Sequence, residues 1–258
     1  MSSSIKAISS RDNSLLVRLR KLAADPAAYR KLGEVWVEGE HLCSAFAQRG
    51  GVAAQAVISE AGWQVPALRA LAGTAAAVAV VPEALMPGLS ALESPPPLAF
   101  ALPWAGPGEL DATTPSVVLD RLQDAGNVGN ILRSAAAFGF PQVIALKGTA
   151  ALWSPKVLRA GMGAHFGLRL VEGAEVDALA ALELPLLATS SHATLAIHES
   201  SLPWPCAWVL GHEGQGVAAA LLRRCAQTLR IAQPGGEESL NVAAAAAVCL
   251  HESVRQRG

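Results

Sequence analysis

The chain is poor in the residues that mark several functional classes. Its four cysteines, Cys43, Cys206, Cys225 and Cys249, stand too far apart for a metal knuckle or a redox pair. No secretory signal precedes them, so reduced thiols in a cytoplasm are expected. Charged residues are only 16% of the chain and the net charge is −1, so no overall positive field announces a nucleic-acid partner. The longest apolar stretches, around 70–81 and 242–250, fall below the roughly 20 residues that span a bilayer, and no membrane role is expected. No glycine turn carries the lysine of a phosphate-binding loop.

What is present is apolar and small. Residues of the hydrophobic set make up 52% of 258 positions, with heavy use of alanine and glycine, which fits closely packed α/β structure rather than disorder. Charge is also unevenly spread. Lys6, Arg11, Arg18, Arg20, Lys21, Arg30 and Lys31 face only Asp12 and Asp25 within residues 1–31. This local excess of five positive charges suits either phosphates or a solvated amphipathic face.

Proline and glycine cluster in "SPPP" (94–97) and "PWAGPGELDATTP" (103–115), with the strand-like "LAFAL" between them. The boundary therefore falls near 106–115, giving units 1–108 and 113–258. The first alternates helical stretches (14–22, 39–48) with the apolar runs "AAQAVIS" and "AAAVAVV", a smaller mixed α/β pattern. In the second, strands are predicted at "SVVLDR", "QVIALK", "LPLLAT", "CAWVLG" and "TLRIA", and helices over 127–138, 155–163, 175–183, 217–225 and 240–255. Strands separated by helices imply a parallel sheet covered on both faces, with ligands at the carboxyl ends of the strands.

Three stretches of the second unit carry chemistry. In "QDAGNVGNILRSAAAFG" (123–139), a turn of 100° per residue gathers Val128, Ile131, Leu132, Ala135 and Phe138 into one stripe. Arg133 then projects nearly opposite. Asn127 is suited to cap the helix or to face a ligand. In "VLGHEGQGV" (209–217), a strand ends at Leu210 and turns through Gly211, Gly214 and Gly216, which exposes backbone groups and Glu213. In "LRIAQPGGEESLNVAAAAAVCLHE" (229–252), a strand ends at a Pro-Gly-Gly loop and a helix begins near Ser239 and Asn241. That helix is apolar on every side, so a buried core or a subunit contact is expected to cover it.

In order and wording, "DAGNVGNILRSAAAFG", "VLGHEGQG" and "ESLNVAAAAAVCLHE" resemble the three motifs of the SpoU/TrmH family of RNA ribose 2′-O-methyltransferases. "SPKVLRAGMGAHFGLRL" (154–170) is similar to the family's intervening segment, and "YRKLGEVWVEGEHL" (29–42) to the start of the substrate-binding domain that many members carry. Two departures stand out: Ile231, Ala232, Gln233 and Pro234 precede Gly235 where Ile-Pro-Met is usual, and Gly161 replaces a common serine.

The resemblance implies an α/β domain with a deep trefoil knot at the carboxyl end, an obligate homodimer, S-adenosylmethionine (AdoMet) as cofactor and no metal. It implies that Arg133 orients the ribose hydroxyl and stabilises the developing alkoxide, that Asn127 and Glu213 position Arg133 and the ribose, and that Ser239 and Asn241 line the reaction centre. Leu210, Gly211, Gly216, Ile231, Gly235 and Leu240 are the implied cofactor contacts. Arg18, Arg20, Lys21, Arg30 and Lys31 of the first unit are expected to meet RNA, with ribosomal RNA favoured over transfer RNA. A transfer-RNA enzyme, a non-catalytic RNA-binding relative and an unrelated doubly wound nucleotide enzyme are the rival readings.

Overall fold

A computed structural model describes residues 4–235 and 239–257. Its contacts divide the chain into two compact units, one of Met1–Gly106 with Trp153–Phe166, the other of Pro107–Leu152 with Gly167–Gly258.

The first unit runs β1 (Ser4–Ala7), α1 (Ser14–Ala24), α2 (Ala28–Leu32), β2 (Glu34–Glu38), α3 (Glu40–Gln48), β3 (Gln55–Ser59), α4 (Glu60–Gln64), α5 (Pro66–Ala72), β4 (Ala77–Val81) and β5 (Leu98–Pro103). Its sheet has the order β1-β4-β3-β5-β2. The first three strands are parallel, and β5 runs antiparallel to both β3 and β2. Helix α1 buries Leu16, Leu19, Leu22 and Ala23 on one face and leaves Arg18 and Lys21 outward, the amphipathic spacing of a helix lying on a core. Asn13 caps it by accepting the Leu15 N–H at 3.0 Å.

The second unit runs β6 (Ser116–Asp120), α6 (Ala125–Ala137), β7 (Gln142–Leu146), α7 (Pro155–Gly161, which belongs to the first unit), β8 (Arg169–Ala174), β9 (Leu186–Thr189), β10 (Ala207–Gly211), α8 (Ala219–Leu222), β11 (Gln227–Leu229) and α9 (Val242–Arg255). The order β11-β9-β10-β6-β7-β8 is parallel throughout, the α/β architecture expected of this unit. Both faces are covered, so β6 and β7 are buried at every position. Alternate residues Val118, Ile144, Val171, Ala188 and Val209 share one core with Val217 and Leu221. Trp208 points the other way, and its indole N–H donates to Ser253 Oγ of α9 at 2.8 Å.

Several sequence expectations need correction. The apolar pattern does not predict β8, because Arg169, Glu172 and Gly173 interrupt its run; Glu172 is nonetheless buried and accepts the Leu152 N–H at 2.9 Å. The stretch 175–183 forms a 3-10 helix, Val176–Ala181, and 217–225 yields only the single turn of α8. β11 ends at Leu229, after which Arg230 makes one bridge to Ala196. Helix α9 turns Ala243, Ala246, Cys249, Leu250 and Ser253 to the core, while Val248 is 40% exposed, so the chain's own core covers one side of it. Gly236 of the Pro-Gly-Gly loop lies outside the described residues.

The segment Trp153–Phe166 folds with the first unit through specific contacts. Ser154 caps α7, and a left-handed Met162 ends it. Arg159 Nη1 faces the carboxylate of Glu38 at 3.8 Å, and Phe166 meets the Phe46 ring edge-on at 5.2 Å. Glu38 is buried and also accepts the Ser90 hydroxyl. Desolvation raises its pKa above the usual carboxylate value, against the opposing pull of Ser90 and Arg159.

Candidate active site

The site is built where β6, β9, β10 and β11 end. After β10 the chain folds back on itself, with the Gly216 N–H donating to the His212 carbonyl at 2.8 Å and His212 Nδ1 accepting the Gly214 N–H at 3.0 Å. A Cβ at Gly211 would come within 2.1 Å of Val217 N and 2.2 Å of Gly216 C, so only glycine permits this closure. Gly216 has φ +67 and supplies the left-handed step.

Helix α6 brings the second group. Its cap is Asp124, whose side chain accepts the Asn127 N–H at 2.7 Å, which corrects the capping role considered for Asn127. Two residues into the helix and relieved of that task, Asn127 turns its amide outward. Asn127 Nδ2 donates to Glu213 Oε1 at 3.3 Å, and Asn127 Oδ1 accepts from Asn241 Nδ2 at 2.9 Å. Asn241 is itself the cap of α9, accepting the Ala243 and Ala244 N–H groups at 2.9 and 3.3 Å.

Glu213 also accepts the N–H groups of Gln123 (3.2 Å) and Asp124 (3.0 Å). Desolvation pushes its carboxyl up, but the bonds from backbone N–H groups and the Asn127 amide outweigh it and hold the pKa below the usual value. The carboxylate is therefore ionised at neutral pH. Three of the five residues implied as catalytic form one hydrogen-bonded line, Glu213–Asn127–Asn241.

Beside this line opens a cleft of about 610 Å³, reached by Thr189 and Gly211 at the ends of β9 and β10, by Ile231 two residues past β11, and by Ser239, Leu240 and Asn241 before α9. Of the implied cofactor contacts, Gly211, Gly216, Ile231 and Leu240 line it. Leu210 and Gly235 do not; the Leu210 side chain is in the core, and Gly235 is exposed. Ser239 lines the cleft with no hydrogen bond among the described residues. Arg133 lies on the exposed side of α6, opposite the buried Val128, Ile131, Leu132 and Ala135, and outside the cleft lining. Among the described residues no group of three or more His, Cys, Asp or Glu side chains could hold a metal ion.

The expected RNA contacts differ in freedom. Arg18 is bound to Glu34 at 2.8 Å and Arg20 donates to the Arg11 carbonyl. Arg30 lies over the Tyr29 ring at 5.3 Å, and Lys21 and Lys31 are exposed. Sequence reasoning misses Asp120 and Arg121. The signal available is an acid closing the otherwise apolar run of β6, and Asp120 is 2% exposed.

A parallel sheet with a cleft at its carboxyl ends, ringed by glycine turns rather than a phosphate loop, defines an α/β cofactor-binding domain. The chain belongs to the SpoU rRNA Methylase family, whose model matches residues 115–251. A 23S rRNA (guanosine(2553)-2′-O)-methyltransferase of Bacillus subtilis is 36% identical over 149 residues, 56% of this chain and 60% of that protein. The chain spans between 53% and 60% of the length of the curated relatives it first matches. A crystal structure of an RNA 2′-O ribose methyltransferase is 30% identical with a TM-score of 0.81, covering 98% of this chain and 99% of that one. The SpoU methyltransferase AviRb from Streptomyces viridochromogenes, in complex with the cofactor AdoMet, shares the fold at a TM-score of 0.84 and 24% identity, over 95% of this chain and 98% of that one.

Proposed function

We propose that the chain transfers the methyl group of AdoMet to a ribose 2′-hydroxyl of ribosomal RNA. The observation that carries this reading is the Glu213–Asn127–Asn241 line on the rim of the cleft. The residues present fit the cofactor. The cleft is of ligand size, and no lysine or arginine lines it among the described residues, which suits a cofactor without phosphate. Gln233 lines it too, and its Oε1 is buried without a hydrogen-bond partner among the described residues, an acceptor open to an amino N–H.

AdoMet, when bound, supplies an electrophilic methyl group on a sulfonium. The chain's own task is to hold the 2′-oxygen in line and offset the charge that grows on it. A guanidinium stays protonated at any ordinary pH, so Arg133 orients the hydroxyl and stabilises the developing alkoxide rather than taking its proton. That proton leaves to an RNA phosphate or water. Glu213 and Asn127 fix the start of α6 and with it the arginine, and Ser239 and Asn241 face the reaction centre.

Arg133 lies outside the cleft lining of its own chain, which supports a homodimer in which each arginine serves the partner's cleft. The half-exposed side of α9 supports the same pairing. The knot is supported by the bonds between the β9–β10 connection and the last part of the chain: Ile197 N–H donates to the Arg230 carbonyl, Leu202 N–H donates to Gln256 Oε1, and Gln256 Nε2 donates to the Ser200 carbonyl. Residues 1–108 act as the RNA substrate-binding domain through their basic residues. A cytoplasmic setting fits the four free cysteines, of which Cys43, Cys206 and Cys249 are buried. Among the described residues no helix is long and apolar enough to cross a membrane.

Incubation of the full chain with total RNA and methyl-labelled AdoMet, followed by mapping of the label, tests the reading. The expected product is a 2′-O-methylated nucleotide in ribosomal RNA. Label in transfer RNA alone selects the transfer-RNA enzyme, and AdoMet binding without any labelled RNA selects a non-catalytic relative.

A further inference from the structure

Among the described residues only Arg121 and Met162 have positive φ without being glycine. Met162 closes a helix, whereas Arg121, at φ +59, follows directly on β6. An L-residue resists this region because its Cβ crowds the next carbonyl oxygen, so the surroundings must hold it there.

They do so through one guanidinium. Arg121 Nε and Nη2 donate to the two carboxylate oxygens of Asp120 at 2.8 and 3.2 Å. The same carboxylate accepts the Ala218 N–H at 2.8 Å, just beyond the glycine turn. The third nitrogen, Nη1, donates to Gln215 Oε1 at 3.2 Å, within that turn. Gly148 leaves room for the arm: a Cβ there would stand 3.3 Å from Arg121 Cγ. Gln215 and Val217 line the cleft and Arg121 does not.

A surface ion pair needs no left-handed backbone, nor a spare nitrogen reaching 94 positions along the chain. We infer that Arg121 is a positioning residue: with Asp120 it clamps the 211–217 turn at its middle and its end and holds the cleft in the shape that takes the cofactor. This rests on the reading of the cleft as an AdoMet site. Hydrogen bonding to Asp120 and its negative charge raise the pKa of Arg121, the direction expected of a guanidinium held against a carboxylate.

Calorimetric titration of AdoMet into the full chain, with thermal unfolding of the same samples, tests it. Arg121→Gly removes the clamp and leaves the buried Asp120 carboxylate with the Ala218 N–H alone, so the unfolding midpoint falls, and the AdoMet Kd rises about 3- to 10-fold, the range for one ordinary hydrogen bond. Gln215→Ala, which leaves the Asp120 pair intact, gives a similar loss. The double variant is no weaker than the worse single one, because both changes break one linkage. Arg121→Lys does not restore affinity, since a single ammonium cannot span a carboxylate and an amide in fork geometry.

Wild-type affinity in Arg121→Gly overturns the inference, as does a fall in its midpoint and affinity together with Gln215→Ala silent. Failure of the wild type to bind AdoMet overturns the reading of the cleft as well, so the two failures are distinguishable.

Discussion

Asn127→Asp changes one atom and inverts one interaction. The Asn241 amide can still donate to the retained oxygen, but the nitrogen that now donates to Glu213 Oε1 at 3.3 Å becomes an oxygen. Two carboxylates about 3.5 Å apart repel by about 1 kcal/mol in water and about 5 at an effective dielectric constant of 20. Glu213 is exposed, so the lower end applies, about 1–2 kcal/mol. Loss of the long bond to a charged acceptor adds about 1 kcal/mol. The destabilisation at pH 7 is then about 2–3 kcal/mol, or about 5–10 °C in Tm for a chain of this size.

The sign with pH follows from proton linkage. In the variant one proton shared by the pair has a folded pKa above its unfolded value. The penalty is therefore absent below about pH 4 and grows as pH rises through the raised value. In the wild type Glu213 is depressed, so its contribution is present above the ordinary carboxylate value and is lost as pH falls. The two unfolding curves should converge in acid. Asn127→Ala, which loses the amide without adding charge, should sit about 1 kcal/mol below wild type. Thermal unfolding of the three proteins from pH 4.5 to 8 measures this. A constant offset across that range, or Asn127→Asp matching Asn127→Ala at pH 7, refutes the reasoning.

Two further outcomes are expected. Arg133→Ala and Gly211→Val should each abolish methyl transfer alone, yet an equilibrated equal mixture should recover about a quarter of wild-type activity. That follows if the arginine crosses to the partner, because half the dimers then hold one intact site; no recovery in mixtures shown to have exchanged subunits means the arginine acts in its own chain. Replacing Lys21, Arg30 and Lys31 by alanine should reduce the slope of log K against log salt for RNA by about 0.7–0.9 for each phosphate no longer neutralised. Arg18, tied to Glu34, should contribute less, and an unchanged slope in the triple variant makes these residues ordinary solvated surface.

The glycine turns and the α6 stripe are legible in the sequence because each follows from local sterics or from helical period. Gly211 is imposed by a 2.1 Å approach to Val217 N, and the four residues 128, 131, 132 and 135 are buried as their spacing requires. The cap of α6 is ambiguous in the sequence because Asp124 and Asn127 are both good caps, and only the helix's true start decides between them. Strand β8 is hidden by Glu172, whose burial depends on a partner twenty residues earlier. The Asp120–Arg121–Gln215 clamp joins positions that no local pattern relates. Nor does local pattern tell that Arg159 seeks Glu38.

Because Trp153–Phe166 folds with the first unit, the polypeptide passes between the units three times rather than once. The front portion is thus no detachable cassette. Severing the chain at residue 106 would orphan a whole borrowed strip, parting Arg159 from Glu38 and Phe166 from the Phe46 ring. Any ancestor or engineer grafting a different front module here must rewrite that strip too, so recombination within this lineage is expected to favour swaps that move both pieces at once.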